Sequence, residues 1–291
     1  MSVPIQRAGV VAILGRTNAG KSTLLNTVLG AKLAIVTPKP QTTRSRILGI
    51  YTREQVQILF LDTPGLHRGQ KVMNALLGAQ IEEAARDCDV ALLLVDLTQS
   101  WGEDHAALAA SLAERGAPAF AVGTKSDLPG ADAAAWPPPG VDRAFRVSAR
   151  TGAGIPQLLD AIVERLPESP PLYPTSDLSD RPVRFLAAEL IREAAFEELA
   201  QELPYSLAVE VLEFDEADAD LVRIRARLLV ERRSQKQIAV GRGGAMIKRI
   251  GTRARLEIER LVENRVYLDL RVKVEPRWAK RPGRIKALGY V

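Results

Sequence analysis

A chain of 291 residues, 46% hydrophobic and 26% charged, has the makeup of a soluble globular protein large enough for two cores. Its single cysteine, Cys88, excludes an internal disulfide and points to a reducing compartment. The N-terminus has no charged-then-apolar leader and the apolar run Val90 to Val95 is too short to span a bilayer, so a cytoplasmic protein is expected, with room left for peripheral contact at the inner face of the membrane.

From residue 9 to 166 short apolar runs alternate with helical patterns. Strands are expected at 9–14, 47–51, 56–61, 90–95, 119–123 and 144–147, and helices at 21–29, 73–86, 103–115 and 155–166. Such alternation predicts a mainly parallel sheet with helices on both faces. Between the first strand and helix lies Gly15-Arg16-Thr17-Asn18-Ala19-Gly20-Lys21-Ser22, followed by Thr23. This GxxxxGKS loop turns backbone N–H groups toward phosphates, with Lys21 as a point charge and the Ser22 hydroxyl for Mg²⁺. A nucleoside triphosphate is the ligand that this pattern requires.

Two later segments sharpen the ligand. Asp62-Thr63-Pro64-Gly65 closes the strand Gln57–Leu61; there Asp62 can hold Mg²⁺ through water and the Gly65 N–H can meet a γ-phosphate. Pro40-Gln41-Thr42-Thr43-Arg44 lies between these motifs, with Thr43 the better candidate for a metal-binding hydroxyl. Thr124-Lys125-Ser126-Asp127 follows the strand Ala119–Gly123. A carboxylate at Asp127 accepts from both N1–H and N2–H₂ of guanine, whereas adenine would leave it unpaired. Lys125 can lay its stem over the base, and Ser148-Ala149-Arg150 can bring backbone N–H groups to the guanine carbonyl. The set describes a guanine-nucleotide switch. His67 and His105 lack metal-spaced partners and are read as surface residues, Cys88 as a small packed residue, and Trp101 and Trp136 as packing anchors.

With these motifs the first domain resembles the translation-factor-like GTPases, and its Gly-Arg-Thr-Asn-Ala-Gly-Lys-Ser loop and Gln-Thr-Thr-Arg switch are similar to those of the Era family. The resemblance implies GTP/GDP and Mg²⁺ as cofactors, with Ser22, Thr43 and Asp62 on the metal and Lys21, Thr43, Gly65 and Asn18 as the catalytic set. Leu66 stands where Ras-type proteins carry a water-orienting glutamine, which implies slow intrinsic hydrolysis. In similar GTPases the loop asparagine, here Asn18, helps hold a K⁺, so K⁺-stimulated turnover is expected. One departure is Thr124, where the family usually has Asn; a hydroxyl cannot serve base and phosphate loop together as an amide does.

Pro167-Glu168-Ser169-Pro170-Pro171-Leu172-Tyr173-Pro174 reads as a stiff linker, giving domains at 1–168 and 184–291 about a Pro-rich segment at 169–183. Beyond it come a helix at 184–201, strands at 205–214 and 220–232, helices at 234–240 and 245–262, and a strand at 265–274. The net charge of +5 hides a strong polarity: residues 171–222 carry 3 basic and 13 acidic side chains, residues 223–286 carry 20 and 6. That is the footprint of a polyanion partner. Within the basic stretch Gly241-Arg242-Gly243-Gly244 joins two helices, with Lys248, Arg249 and Arg253 close by. A bare GxxG loop lets a nucleic-acid backbone approach, while Ile238, Ala239, Val240, Met246, Ile247 and Ile250 are divided between core and groove. The basic tail from Arg277 to Lys286 is expected to add phosphate contacts.

This α-β-β-α-α-β segment resembles a type II KH domain, as in Era, which makes the fold class an α/β P-loop GTPase domain plus an α+β KH domain. The resemblance implies single-stranded RNA as partner, specifically the 3′ end of small-subunit ribosomal RNA during assembly of the small ribosomal subunit, and a monomer. A transfer-RNA-modification GTPase fits less well, since no methylene-carrier site, catalytic cysteine motif or dimerisation domain is visible. An ATPase or metabolic kinase has the wrong base motif, and a degenerate switch would not retain Lys21, Ser22, Thr43 and Asp62.

Overall fold

The computed structural model describes residues 6–37, 47–62, 88–99, 101–114, 116, 118–131, 136–199 and 203–290. The expected helix at 73–86 lies outside them, as do the switch residues 40–44 and 63–66. The chain divides into two compact units, with the boundary between Asp180 and Arg181; the described residues Ala34–Thr37 group with the second.

The first unit is built on six strands: β1 (Arg7–Gly15), β2 (Ile47–Arg53), β3 (Val56–Asp62), β4 (Val90–Asp96), β5 (Ala119–Thr124) and β6 (Arg143–Arg146), in the order β2-β3-β1-β4-β5-β6. Only β2 runs antiparallel to its neighbour. The central strands are apolar on both faces, as parallel strands covered on both sides must be; every residue of β4 is buried. Helix α1 (Lys21–Leu29) starts from left-handed Gly20, α2 (Glu103–Glu114) buries Leu108, Ala109 and Leu112 against Ala12, Leu14, Ala91 and Leu93, and α3 (Ile155–Arg165) buries Leu158 and Ile162.

The Pro-rich segment is more than a spacer. Buried Gln57 accepts the N–H groups of Leu172 and Tyr173 at 2.7 and 2.9 Å and donates to the Tyr173 carbonyl at 2.9 Å. Tyr173 packs beside Leu48, Ile50, Leu59 and Leu61, and Ile50 N–H donates to Leu178 O. Residues up to Asp180 thus cover β2 and β3, because an uncovered sheet edge and face would be left wet.

The second unit holds β7 (Ala208–Asp215), β8 (Leu221–Val230) and β9 (Arg265–Val274), with β8 antiparallel to β7 and parallel to β9. Helices α4 (Val183–Glu198), α5 (Arg233–Val240) and α6 (Ala245–Val262) complete the α-β-β-α-α-β order. One face of β8 (Val222, Ile224, Ala226, Leu228) joins α4 and α6 in the core. The tail, expected to add phosphate contacts, folds back on the sheet: Trp278, Leu288 and Tyr290 are buried with Ala208 and Leu229, and Trp278 Nε1 donates to Ser206 O at 3.0 Å. Short α7 (Pro282–Ala287) carries Arg284, held by Glu210 and Glu275 at 2.9 Å each, so that cation is committed to the fold.

Inside α4 lies a buried ion pair. Arg192 is 0% exposed, its Nε donates to Glu189 Oε1 at 2.8 Å, and its guanidinium stands over the rings of Phe196 and Tyr290 at 5.5 and 5.8 Å. Removing one partner strands the other charge. Arg192→Ala is therefore expected to destabilise this unit by about 3–5 kcal/mol, whereas replacing Glu189 and Arg192 together by Met and Leu should recover only part of that loss, because buried Glu193 also loses its cation. Urea titration followed by amide exchange in β7–β9 checks the difference.

Candidate functional site

The nucleotide motifs converge on the carboxyl ends of β1, β3, β4 and β5, where open α/β sheets bind ligands. The loop from Gly15 to Ser22 runs between β1 and α1. Gly15 is required by close approach, since a Cβ there would sit 2.6 Å from Leu94 O. Lys21 is buried, its Nζ donating to Gly15 O at 3.1 Å and Arg16 O at 2.9 Å. Burial lowers its pKa, opposed by the neighbouring Asp62 charge.

Asp62 is 0% exposed and accepts from Ser22 Oγ at 2.9 Å through Oδ2, while its Oδ1 has no hydrogen-bond partner. Burial pushes its pKa up to about 6, with Lys21 and Ser22 pulling the other way. A buried carboxylate oxygen left unsatisfied beside a serine hydroxyl suits Mg²⁺, a hard cation that takes oxygen ligands and keeps several waters. Among the described residues there is no cluster of three His, Cys, Asp or Glu for a metal; hydroxyl, carboxylate and phosphate oxygens are the donors available here.

The base motif forms a second corner. Asp127 accepts from Ser148 Oγ at 2.6 Å and Arg150 Nε at 2.8 Å. The Ser148 bond leads in holding its pKa below the usual range. Ser126 N–H donates to Val147 O at 3.2 Å, joining the motif to the stretch that holds Ser148 and Ala149. Lys125, in left-handed backbone, is tied by Nζ to Asp96 Oδ2 at 2.6 Å. Thr124 is buried and its hydroxyl lies 2.8 Å from Ala19 O and 3.2 Å from Val95 O. The threonine therefore keeps the tie to the phosphate loop; with its one proton engaged there, it has none for the base.

Two anchoring carboxylates were missed from the sequence. Asp96 ends the apolar β4 and orients Lys125; its place at a strand terminus beside β1 and β5 was the available signal. Asp104, at the start of α2, clamps Arg16 of the loop through Nε at 2.6 Å and through a second contact to Nη2. His105, expected at the surface, is buried: Nδ1 accepts from Gly102 N–H at 3.1 Å and the ring stacks on Trp101, because the chain must turn into α2 here. Thr43, Thr63, Pro64, Gly65, Leu66 and His67 lie outside the described residues.

In the second unit the GxxG loop sits between α5 and α6. A Cβ on Gly241 (φ 74°) would meet Met246 Cβ at 2.7 Å, whereas Gly243 and Gly244 face open space. Of the neighbouring apolar residues, Ala239 and Ile250 belong to the core, Val240, Met246 and Ile247 lean on it, and Ile238 is 55% exposed. Arg249 and Arg253 point toward α4, paired with Glu198 at 3.0 Å and with Glu197. Arg242 and Lys248 are exposed cations by the loop that carry no ion pair among the described residues, while the paired Arg249 and Arg253 are exposed as well.

Comparison with known proteins gives these sites relatives. Residues 10–125 match a family model described as a 50S ribosome-binding GTPase, and residues 202–279 match the KH domain model. "GTPase Era" from Geobacter metallireducens is 43% identical over 98% of this chain and 98% of its own, and that from Sinorhizobium medicae is 41% identical over 97% and 93%. Among solved structures, Era in complex with MgGDPNP and nucleotides 1506-1542 of 16S ribosomal RNA superposes with a TM-score of 0.86 at 35% identity, covering 98% of this chain and 99% of that one. A single-residue variant of Aquifex aeolicus Era bound to GDP.AlF4- gives 0.85 at 36% identity, covering 98% and 99%.

Because the folded pKa of Asp62 lies above its ordinary 3.8, protons compete with Mg²⁺ below about pH 6; Mg²⁺-dependent nucleotide affinity should then fall by up to about tenfold per pH unit. By the same sign, Asp62 contributes most to the stability of the metal-free fold in acid, and that contribution is lost as pH rises from about 4 to 6. Mg²⁺ titrations at pH 7.5, 6.5 and 5.5 test this, with Asp62→Asn expected to abolish both the affinity and its slope. Separately, Thr124→Asn should tighten GDP about fivefold by adding one net hydrogen bond to the base; calorimetric titration giving equal or weaker binding would refute the donor argument.

Proposed function

The chain belongs to the GTPase Era family, and from that premise we propose that it is a GTP-binding and GTP-hydrolysing switch that engages the 3′ end of small-subunit ribosomal RNA and acts in assembly of the small ribosomal subunit. The observation that carries the reading is the pairing, in one chain, of a guanine-type phosphate-loop unit with a basic GxxG unit. A related structure holding both a GTP analogue and 16S ribosomal RNA superposes over 98% of this chain. The family model that names the 50S particle ends at residue 125, short of the RNA-binding unit, so it speaks only for the nucleotide switch.

In this reading Ser22, Asp62 and Thr43 hold Mg²⁺, which when bound offsets negative charge on the terminal phosphates. Lys21 leaves the Gly15 and Arg16 carbonyls to meet those phosphates, and Asp104 keeps Arg16 from following. Asp127 exchanges Ser148 and Arg150 for the guanine edge. Gly65 supplies an N–H to the γ-phosphate. With Leu66 unable to orient water, turnover is slow and is raised by a K⁺ held with Asn18. Gly241, Arg242, Gly243, Gly244 and Lys248 receive the RNA backbone, with Arg249 and Arg253 at the margin. The protein acts as a monomer in the cytoplasm.

Crosslinking to total RNA tests the target: enrichment of the small-subunit 3′ terminus with a GTP analogue bound is expected, and a transfer-RNA signal would overturn it. Hydrolysis in K⁺ buffer should exceed that in Na⁺ buffer by about tenfold or more; equal rates would remove the K⁺ assignment.

A further inference from the structure

The second unit has a sheet face that neither its core nor the GxxG loop uses. Alternation along β8 puts Arg223, Arg225 and Arg227 opposite the buried Val222, Ile224 and Ala226. On β9 the matching residues are Arg265, Tyr267, Asp269 and Arg271. The tail covers one end of this face, over Ala208 and Leu229, and reaches Glu210, level with Arg227, through Arg284. Beyond it Tyr267 is 58% exposed.

The register makes this face costly to leave bare. On β9, Arg223 is level with Tyr267, Arg225 with Asp269 and Arg227 with Arg271, a like-charge neighbour pair; on β7, Glu210, Glu213 and Asp215 stand level with Arg227, Arg225 and Arg223. The acids nearby compensate weakly. Arg225 meets Glu213 at 2.6 Å, Arg271 meets Asp269 at 2.9 Å and Arg223 meets Asp218 at 3.9 Å, and each arginine is more than half exposed; such pairs exchange readily. Arg227 and Arg265 have no ion pair among the described residues. Arg223, Arg225 and Arg271, exposed, with half-buried Arg227 between them and an exposed aromatic ring on the neighbouring strand, fit a phosphodiester chain with a base stacked on the ring.

We propose that the outer face of β8 and β9 is a second RNA-contact surface, taking the stretch of strand that continues past the GxxG groove, with the phosphates on Arg223, Arg227 and Arg271 and one unpaired base on Tyr267. The proposal rests on the reading of this unit as RNA-binding. Charge complementarity selects the occupant, and so does length: a KH groove takes about four nucleotides, far fewer than the 1506-1542 fragment in the related complex.

Fluorescence anisotropy with full-length protein tests it, using that fragment and five-nucleotide windows cut from it. Arg227→Gln combined with Arg271→Gln should weaken binding of the long RNA about tenfold and flatten its salt dependence by about 1.4 in log–log slope, the loss of two phosphate contacts. Affinity for the best short window should stay within about twofold. Tyr267→Ala should weaken the long RNA alone, and Arg227→Lys should restore most of the binding. Unfolding midpoint and RNA-free GTP turnover serve as fold controls. Unchanged long-RNA binding in the double variant overturns the proposal, as does an equal loss for long and short RNAs. Wild-type protein that binds neither RNA would instead overturn the RNA-binding reading on which the proposal stands.

Discussion

Everything in the first unit is arranged around two opposite charges that have been taken out of water. Lys21 and Asp62 are both buried at the carboxyl ends of β1 and β3, and neither is well compensated. Lys21 leans on two backbone carbonyls; Asp62 has one hydroxyl and leaves an oxygen bare. Burial dominates both pKa shifts, downward for the amine and upward for the acid. An interior that holds such groups needs a rigid frame, and the buried β4 and the Gln57-pinned cover of β2 and β3 provide it. A phosphate and a divalent cation supply the partners that the chain itself does not, which makes nucleotide binding and local stability two sides of one linkage.

The second unit solves a different electrostatic problem. Its basic stretch is numerically large, yet much of it is paired with acids of the same unit, mostly at the surface. Arg284 is fixed by Glu210 and Glu275, Arg249 and Arg253 by Glu198 and Glu197, Arg255 and Arg260 by glutamates along α6. The acidic segment that precedes it in sequence supplies several of these partners. Net charge therefore overstates the charge left uncompensated for a polyanion; Arg242 and Lys248 at the loop and Arg227 and Arg265 on the sheet are among the cations with no ion pair among the described residues.

The order and type of nearly every described element were legible in the sequence because apolar periodicity and strand–helix alternation report burial directly; 245–262 and 265–274 match residue for residue. The motif residues were legible because phosphate and guanine demand fixed donors at fixed spacing. What escaped was side-chain partnering across distance. Nothing near Arg16 announces Asp104, eighty-eight positions on, and nothing near Lys125 announces Asp96. The tail escaped for a related reason: its basic residues stand out in the sequence, but Trp278, Leu288 and Tyr290 bury enough surface to seat it. His105 reads as polar on its own and becomes interior only through Trp101 and the turn at Gly102.

Thr124 shows how one substitution divides a shared task. The hydroxyl and the amide that usually stands here both reach the loop carbonyl, so the coupling between base corner and phosphate corner survives. A hydroxyl has one proton, and the geometry assigns it to Ala19 or Val95. In the proposed function, recognition of guanine then falls on the Asp127 carboxylate, whose pKa is held down by its bonds to Ser148 and Arg150. Selectivity against adenine is retained because it depends on an acceptor facing two donors, while total affinity loses one bond. The Asp62 oxygen is the group here that fails to satisfy itself, whereas Asp127 is held by partners that the proposed function has it exchange; a sequence selected only for stability would have closed the first.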